Sequence, residues 1–572
     1  MSKVLILRRS LFDFTFSACF ASPIFFLLMG GWTTLNPRNY QWIAGDNTAG
    51  YIAQLFYLSD SWRFPLASNP KFGLDLSTSL IYSGPPLPIV VLQKLFKIDA
   101  SLQFIGFWLL LMIILQIFFG ILIARELNYA SVASRLAGLL FVTPFFLYRF
   151  QVHFWLTAHF LLLWSLWITM RSLSKNKLYT LEISIFVFIA YSVNTYILVM
   201  SLIILSYPTI LIIFKSRTLS LSIIKHSLFI LQSLIACYLL FDFRVQKGTF
   251  SENFIMNFTG EYTHYPANLL ALFNPEVGYA RNCNMGHCIF GEGPIPSHYI
   301  KNFSILNYDL GGVQGNFEGF LYLGLGIIFL LLIAIYPLLS LNNRKLFLKN
   351  LSKYRLLLAY VALISSYAIT YKISVGSYQL NPGDPKLVRW ALSTFRASGR
   401  FMWIVAYFLI ILSLFLLSRR VKKSYMPYLL SIAILIQIID LSPAMINRYS
   451  AFKQSNLTSI YFSQDLSDKF KLISQGKDTL IMFPPGTTEG WPELAYLAWK
   501  SQLKSGMFAS SRINSFERNR LESNLRRDIC FNSIKANWLI AIPISEFPLF
   551  TNCELNSHEI IKVDKFVFLR KT

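Results

Sequence analysis

The chain has 572 residues, 54% hydrophobic, 16% aromatic and only 14% charged, with a mean hydropathy of +0.49. Soluble domains carry about 25% charged residues, so the composition excludes a soluble globular protein and fits an integral membrane protein. The formal net charge of +24 is not a nucleic-acid signature. Much of it sits in short loops between apolar runs, where Lys and Arg hold loops in the cytoplasm and meet anionic lipid.

In chain order, Lys3, Arg8 and Arg9 precede an apolar run that continues to Trp32 without a cleavage site, so it reads as an anchor. With about 20 apolar residues needed per crossing, candidate spans are about 14–34, 102–124, 133–148, 155–170, 179–195, 196–214, 222–242, 318–341, 356–372, 400–418 and 426–445. The stretch Leu181 to Phe214 is long for one span and short for two. Splitting it puts Arg171/Lys175/Lys177, Lys215/Arg217/Lys225, Arg344 to Arg355 and Arg419/Arg420/Lys422/Lys423 on one side with Arg8 and Arg9. The positive-inside rule therefore favours about eleven spans, N-terminus in and C-terminus out.

External regions follow at about 35–101, 243–317 and 373–399. The first is much longer than a helix connection needs, and Asp46 to Leu66 in it reads as an amphipathic helix and a Pro-closed turn lying on the membrane. Beyond Asp440 the pattern turns soluble. Thr479 to Phe483, Asn537 to Ile542 and Ile560 to Leu569 read as three strands, and Pro492 to Leu503 and Ile513 to Arg527 as helices. The expected fold is an all-α polytopic membrane bundle over residues 1–445 with a small α/β extracytoplasmic domain at 446–572.

The spans hold few ionisable groups, His159 being the main exception, whereas transporters place charges within spans. A site at the external interface is therefore expected. Asp46, in Gly45-Asp46-Asn47-Thr48, is a good N-cap for the apolar positions that follow, and a carboxylate at the water boundary is also a candidate general base. The two roles are compatible. His153 and His159, near the outer end of a hairpin, are either interface contacts or substrate contacts. Arg63, in Trp62-Arg63-Phe64-Pro65-Leu66, belongs to an interfacial belt or to the rim of a lipid-phosphate site. Lys386, Arg389, Arg396 and Arg400 gather at the external end of a span against the positive-inside trend. A helix N-terminus with Arg suits a phosphate, and ion pairs with Asp384 or other loop acids are the alternative.

Of the six cysteines, Cys19 and Cys237 fall in apolar spans as packing residues. Cys283 with Cys288, and Cys530 with Cys553, are disulfide candidates if external; free thiols are the alternative, and Cys-x4-Cys with one His is a poor zinc pattern. Asp-x-Asp pairs, Gly-rich phosphate loops and His-Glu-x-x-His are all missing from the sequence.

Gly45-Asp46, Trp62-x-Phe64-Pro65-Leu66, Asn69-Pro70-x-x-Gly73, Ser79-Leu80-Ile81-Tyr82-Ser83, Ala271 to Pro275, Tyr322-Leu323-Gly324-x-Gly326, Phe395 to Arg400 and Gln437-x-x-Asp440 together resemble a bacterial membrane family labelled as domain of unknown function sixty-three eleven. That family looks like a branch of the GT-C glycosyltransferases, many-span enzymes that take sugars from polyprenyl-phosphate donors and carry a catalytic acid in the first external loop. The resemblance implies a GT-C-like fold with Asp46 as catalytic residue. From residue type and position alone, Arg396, Arg400, Arg389 and Arg63 are the candidates for a donor phosphate, and His153, Glu261 and Asp384 the candidates for substrate contacts. One position departs from the family pattern, where Asp usually follows Tyr-Ser and Gly84 stands here.

The chemistry agrees. A glycosidase needs two carboxylates because its leaving group must be protonated, whereas a lipid phosphate leaves as a stable anion and needs only a base for the acceptor. Arg groups offset phosphate charge without a metal, so no cofactor is called for and a divalent metal is left open. The expected activity is inverting transfer of a hexosyl or pentosyl unit from a polyprenyl-phosphate-linked sugar to an extracytoplasmic glycan such as O-antigen, at a bacterial cytoplasmic membrane. Rival readings are a polymerase or ligase of lipid-linked polysaccharide, and a transporter or flippase of a lipid-linked sugar.

Overall fold

The computed structural model describes residues 3–43, 46–73, 79–217, 220–241, 265–276, 302–306, 308–313, 316–340, 354–383, 395, 397–454, 463–485, 490–506, 515–553, 555 and 557–571. Among them, six helices are long and apolar enough to cross a membrane: Arg8–Met29, Ile105–Glu126, Thr195–Ser216, Leu221–Phe241, Ser398–Arg420 and Met426–Ser450. The pair Ser131–Leu139 and Pro144–Gln151, bent by 46°, makes a seventh if counted as one span. Thr180–Val193, Leu325–Ile335 and Arg355–Ile369 are shorter apolar helices. The protein is a predominantly helical membrane protein, and each expected span contains a helix, although six rather than eleven reach full crossing length. The doubtful stretch is indeed two helices. They part at Asn194, whose extended backbone ends the first and whose side chain caps the second by accepting from the Tyr196 and Ile197 amides.

The helix Ile105–Glu126 is the hub, packed against the first helix and against Ser131–Leu139. Gly120 and Gly138 let the latter pair approach, since a Cβ on Gly138 would lie 2.9 Å from the Ile117 carbonyl oxygen; small residues at a helix crossing allow such contact. Charge is less scarce at the bundle edges than the sequence reading held. Asp13 is fully buried and paired with Arg125 and Arg135. Asp440, within the last long helix, accepts from the Tyr322 hydroxyl and the Leu325 amide, both at 2.9 Å. Gln437, one turn earlier, accepts from the Gly326 amide at 2.9 Å. Gly324 has φ of +87°, and a Cβ there would sit 2.0 Å from the Gln437 amide nitrogen. Two of the segments that carry the family resemblance therefore fasten to each other.

Short strands β1 (Ile373–Val375) and β2 (Tyr378–Leu380) form a hairpin after Arg355–Ile369. The C-terminal region holds a mixed sheet of β3 (Thr479–Met482), β4 (Lys504–Ser505), β5 (Trp538–Pro543), β6 (His558–Val563) and β7 (Phe566–Lys571), in the order β4-β3-β5-β7-β6. The expected single strand Ile560 to Leu569 is instead the β6–β7 hairpin, which turns at Asp564 with φ of +54°. The apolar run hid the turn because Asp564 and Lys565 interrupt it little more than Lys562 does within β6.

Ile481, Ile540, Ile542, Val567 and Leu569 pack with Leu525 and Ile529 of the helix Ser515–Cys530 on one face. Leu480, Met482, Leu539, Ala541 and Phe568 join the main core on the other. Successive residues point to opposite faces, so covering both faces demands near-continuous apolar strands. Cys530 and Cys553 form a disulfide, one of the two candidate pairs. Cys237 is buried as expected, while Cys19 is exposed on its helix.

The sheet docks on the first long loop. Ser505 and the Lys71–Gly73 segment exchange two backbone hydrogen bonds of 2.8 Å, and Trp499 Nε1 donates to Ser59 Oγ at 2.7 Å. The helix Asp46–Ser59 is accordingly buried on all sides from Asn47 to Tyr57, not laid on a membrane surface as its amphipathic pattern suggested. The helices Leu87–Leu95 and Trp491–Lys500 contact it.

Replacing Asp13 with Asn leaves Arg125 and Arg135 without their counter-charge. Breaking a buried pair costs roughly 3–5 kcal/mol, and the low end applies because the two Arg side chains keep 16% and 18% exposure. The expected outcome is a lower melting temperature for Asp13→Asn in detergent. An unchanged melt would show that the triad contributes nothing.

Candidate functional site

Three stretches far apart in sequence meet around one carboxylate. Glu318 lies on the short 3-10 turn Asn316–Gly319, ahead of the apolar helix Leu325–Ile335. Arg149 comes from the helix Pro144–Val152, and His153 ends that helix with extended backbone. Arg400 comes from the turn Ser398–Phe401 at the head of a long apolar helix. Arg400 grips Glu318 with two bonds, Nη2 to Oε1 at 2.7 Å and Nε to Oε2 at 3.1 Å. Arg149 Nη1 reaches Oε2 at 2.9 Å, and its Nη2 donates to the Glu318 carbonyl at 3.0 Å. His153 Nε2 lies 3.0 Å from Oε1.

The group is nearly closed to solvent, with side-chain exposures of 0% for Arg149, 7% for Glu318, 11% for Arg400 and 14% for His153. Burial alone would raise the Glu318 carboxyl; Arg400, His153 and Arg149 outweigh it and hold the group well below the usual carboxylate range. Glu318 is therefore ionised. Among the described residues, two guanidiniums against one carboxylate leave a surplus of one positive charge before His153 is counted. A buried surplus charge is costly unless an anion faces it, so the arrangement suits an anionic group.

Aromatic faces frame it. The Arg149 guanidinium lies 4.8 Å from the Trp403 ring centre, and that of Arg400 lies 4.9 Å from Tyr196. The His159 ring packs at a tilt on Trp403, 4.3 Å between centres, and its Nδ1 lies 2.9 Å from the Tyr407 hydroxyl, which in turn accepts from Gln116 at 2.8 Å. His159 is fully buried, its ring enclosed by Phe145, Phe146, Trp403 and Tyr407.

Asp46 opens the helix Asp46–Ser59, but its side chain lies outside the described residues, so neither cap nor base is seen. Its neighbour Asn47 is placed: Asn47 Oδ1 accepts from the Phe154 amide at 2.9 Å, one residue beyond His153. Gly84, where the family pattern has Asp, has φ of +116°, and a Cβ there would meet Trp155 Nε1 at 2.2 Å. The Trp155 indole fills the place that an Asp side chain would need. Arg63 stands apart, exposed and paired with Asp60 at 2.7 Å. No contact among the described residues joins it to the Glu318 group.

Arg389, Arg396, Glu261, Asp384, Cys283 and Cys288 lie outside the described residues. Of the ionic alternatives for the cation cluster, Arg400 realises an ion pair, with Glu318 as its acid. Glu318 and Arg149 escaped the sequence reading. Each is a lone ionisable residue at the edge of an apolar run, a position that flags function. Among the described residues no group of His, Cys, Asp or Glu is arranged to hold a metal.

No curated protein matches the chain. Two solved structures of the oligosaccharyltransferase of the archaeon Archaeoglobus fulgidus are distantly similar. AglB in complex with an inhibitory peptide and a dolichol-phosphate is 13% identical at a TM-score of 0.40, covering 92% of this chain and 69% of that one. A complex with Zn and sulfate is 12% identical at a TM-score of 0.39, covering 97% and 73%. A family model matches residues 19–442, most of the sequence including every segment that builds the Glu318 group, and the chain belongs to that family, described as Domain of unknown function (DUF6311).

Proposed function

We propose that this protein is a GT-C-type glycosyltransferase of a bacterial cytoplasmic membrane. It would transfer a sugar from a polyprenyl-phosphate donor to an extracytoplasmic glycan, with inversion. One observation carries the reading. The Asn47–Phe154 hydrogen bond ties the start of the Asp46 helix to the turn that bears His153, and His153, Glu318, Arg149 and Arg400 form one buried group with surplus positive charge. A candidate base and a candidate anion site thus share a single scaffold. Single displacement needs those two parts: a base to take the acceptor proton, and cations to receive the phosphate that leaves.

In this reading Asp46 is the base, and Arg400 with Arg149 forms the floor of the donor-phosphate site. Arg396 and Arg389 complete it, and Arg63 sits at the rim. Glu261 and Asp384 contact substrate beside His153. Residues 1–445 form the transmembrane unit with about eleven spans, the short helices included, and 446–572 form an extracytoplasmic domain. Cys283 and Cys288 are a second disulfide, on the same external side as Cys530–Cys553.

Topology is checked by impermeant thiol labelling of intact cells. Lys469→Cys should label from outside and Lys422→Cys should not; labelling of position 422 would put the site on the wrong face. For the chemistry, Asp46→Asn keeps most capping ability but removes the base. Transfer of labelled sugar from a polyprenyl-phosphate pool should fall by about 100-fold or more, with Asp465→Asn as a control far from the site. Normal transfer by Asp46→Asn would reduce Asp46 to a helix cap. Arg400→Gln abolishes the surplus charge, and losing one charge-assisted contact, about 1.5–3 kcal/mol, should raise the donor KM roughly ten- to a hundredfold. An unchanged donor KM with a lower melting temperature would make the group a structural ion pair.

A further inference from the structure

The helix that carries Arg400 at its head ends in a second cationic site. Ser398–Arg420 has 23 residues, roughly 34 Å at 1.5 Å per residue, about the thickness of a bilayer's hydrocarbon core. Arg400 and Arg419 therefore stand at opposite membrane faces when this helix crosses. At the Arg419 end lies a cavity of about 130 Å³ whose lining includes Asn128, Tyr129, Ala133, Ser418, Arg419 and Lys423. Its walls are held together by the Tyr129 hydroxyl, which donates to the Leu414 carbonyl at 2.7 Å. The turn 127–130 is thereby fixed against the last turns of Ser398–Arg420.

Charge gives the cavity its sign. Two helices end here, at Glu126 and Arg420, and two begin, at Ser131 and Met426. Their terminal dipoles, about half a charge each, oppose one another, so the side chains decide. Arg419 and Lys423 are exposed cations without an acid partner among the described residues. The nearest acid in the sequence of the facing turn, Glu126, forms no ion pair with either. Arg420 points elsewhere and donates to the Ala334 carbonyl. A pocket of mixed polar and apolar lining with two cations unpaired among the described residues, at headgroup depth, is complementary to a phosphate that arrives from the membrane with its acyl chains.

We propose that this cavity binds the headgroup phosphate of an anionic membrane lipid, held by Arg419 and Lys423, on the face opposite the Glu318 group. The proposal rests on the helix crossing the bilayer and not on the glycosyltransferase reading.

The test is native mass spectrometry of the full-length protein released from detergent with phosphatidylglycerol, with phosphatidylcholine, or with phosphatidylglycerol plus inorganic phosphate. Phosphatidylglycerol should be retained preferentially. Arg419→Gln/Lys423→Gln should cut its retention about thirtyfold, the scale for two surface cations, while Lys215→Gln/Arg217→Gln should not. Equal retention of the two lipids, or full retention by Arg419→Gln/Lys423→Gln, overturns the site. Displacement by equimolar inorganic phosphate overturns the lipid assignment in favour of a free anion. Should the double variant fail to fold, phosphatidylglycerol with a photoreactive headgroup decides on the unaltered protein: labelling of peptides spanning residues 127–133 and 418–426 supports the site, and labelling only elsewhere overturns it.

Discussion

The pairing of Glu318 with Arg149 and Arg400 is the constraint on which the site's architecture depends. Each guanidinium is too buried to stand alone, and the carboxylate would be raised towards neutrality by burial without them. Removing one partner of such a pair costs roughly 3–5 kcal/mol, far more than the intact pair contributes over an apolar substitute. The group therefore acts as a registration device. The bent hairpin, the turn before Leu325 and the head of Ser398–Arg420 must arrive together or not at all. Among the described residues it also leaves one positive charge uncancelled.

The same logic of fastening recurs one layer away. Asp440 and Gln437 take the amides at the start of Leu325–Ile335, whose first turn has no intrahelical acceptors for its N–H groups. Glycine at 324 and 326 lets the last long helix come close enough to do so. This holds the segment that carries Glu318 from behind, so the carboxylate is positioned from both sides. The amide of Ile305 donates to the Asp440 carbonyl at 3.1 Å, which adds the end of the second long loop to the same post.

The C-terminal sheet has a bearing on the site through the first loop. Its edge strand pairs with the backbone of the Lys71–Gly73 segment, and Tyr496 packs on Tyr40 at 5.5 Å. The helix that Asp46 opens is thereby enclosed between the bundle and the C-terminal region. Those contacts hold the helix in place, where an open membrane-surface helix would have only one face covered.

Composition and charge placement in the sequence were enough for a many-helix membrane protein with a small α/β tail, and the division of Leu181 to Phe214 into two helices followed from loop charges alone. Long apolar runs and Lys/Arg asymmetry are local properties, readable wherever they occur. Arg400 was also legible, since four cations at one span end need something to oppose them. The identity of that acid was not. Glu318 and Arg149 are 169 positions apart, and single residues at the rims of apolar runs carry no periodic signal. The burial of Asp46–Ser59 and the β6–β7 turn were missed for related reasons: an amphipathic pattern does not say what will cover its second face, and a two-residue turn barely interrupts an apolar run. Hydropathy depends on each residue's own solvation, so the chain alone determined its helices and their setting. Ion pairs and docking surfaces depend on distance in space, so only the tertiary structure decided which charges would meet.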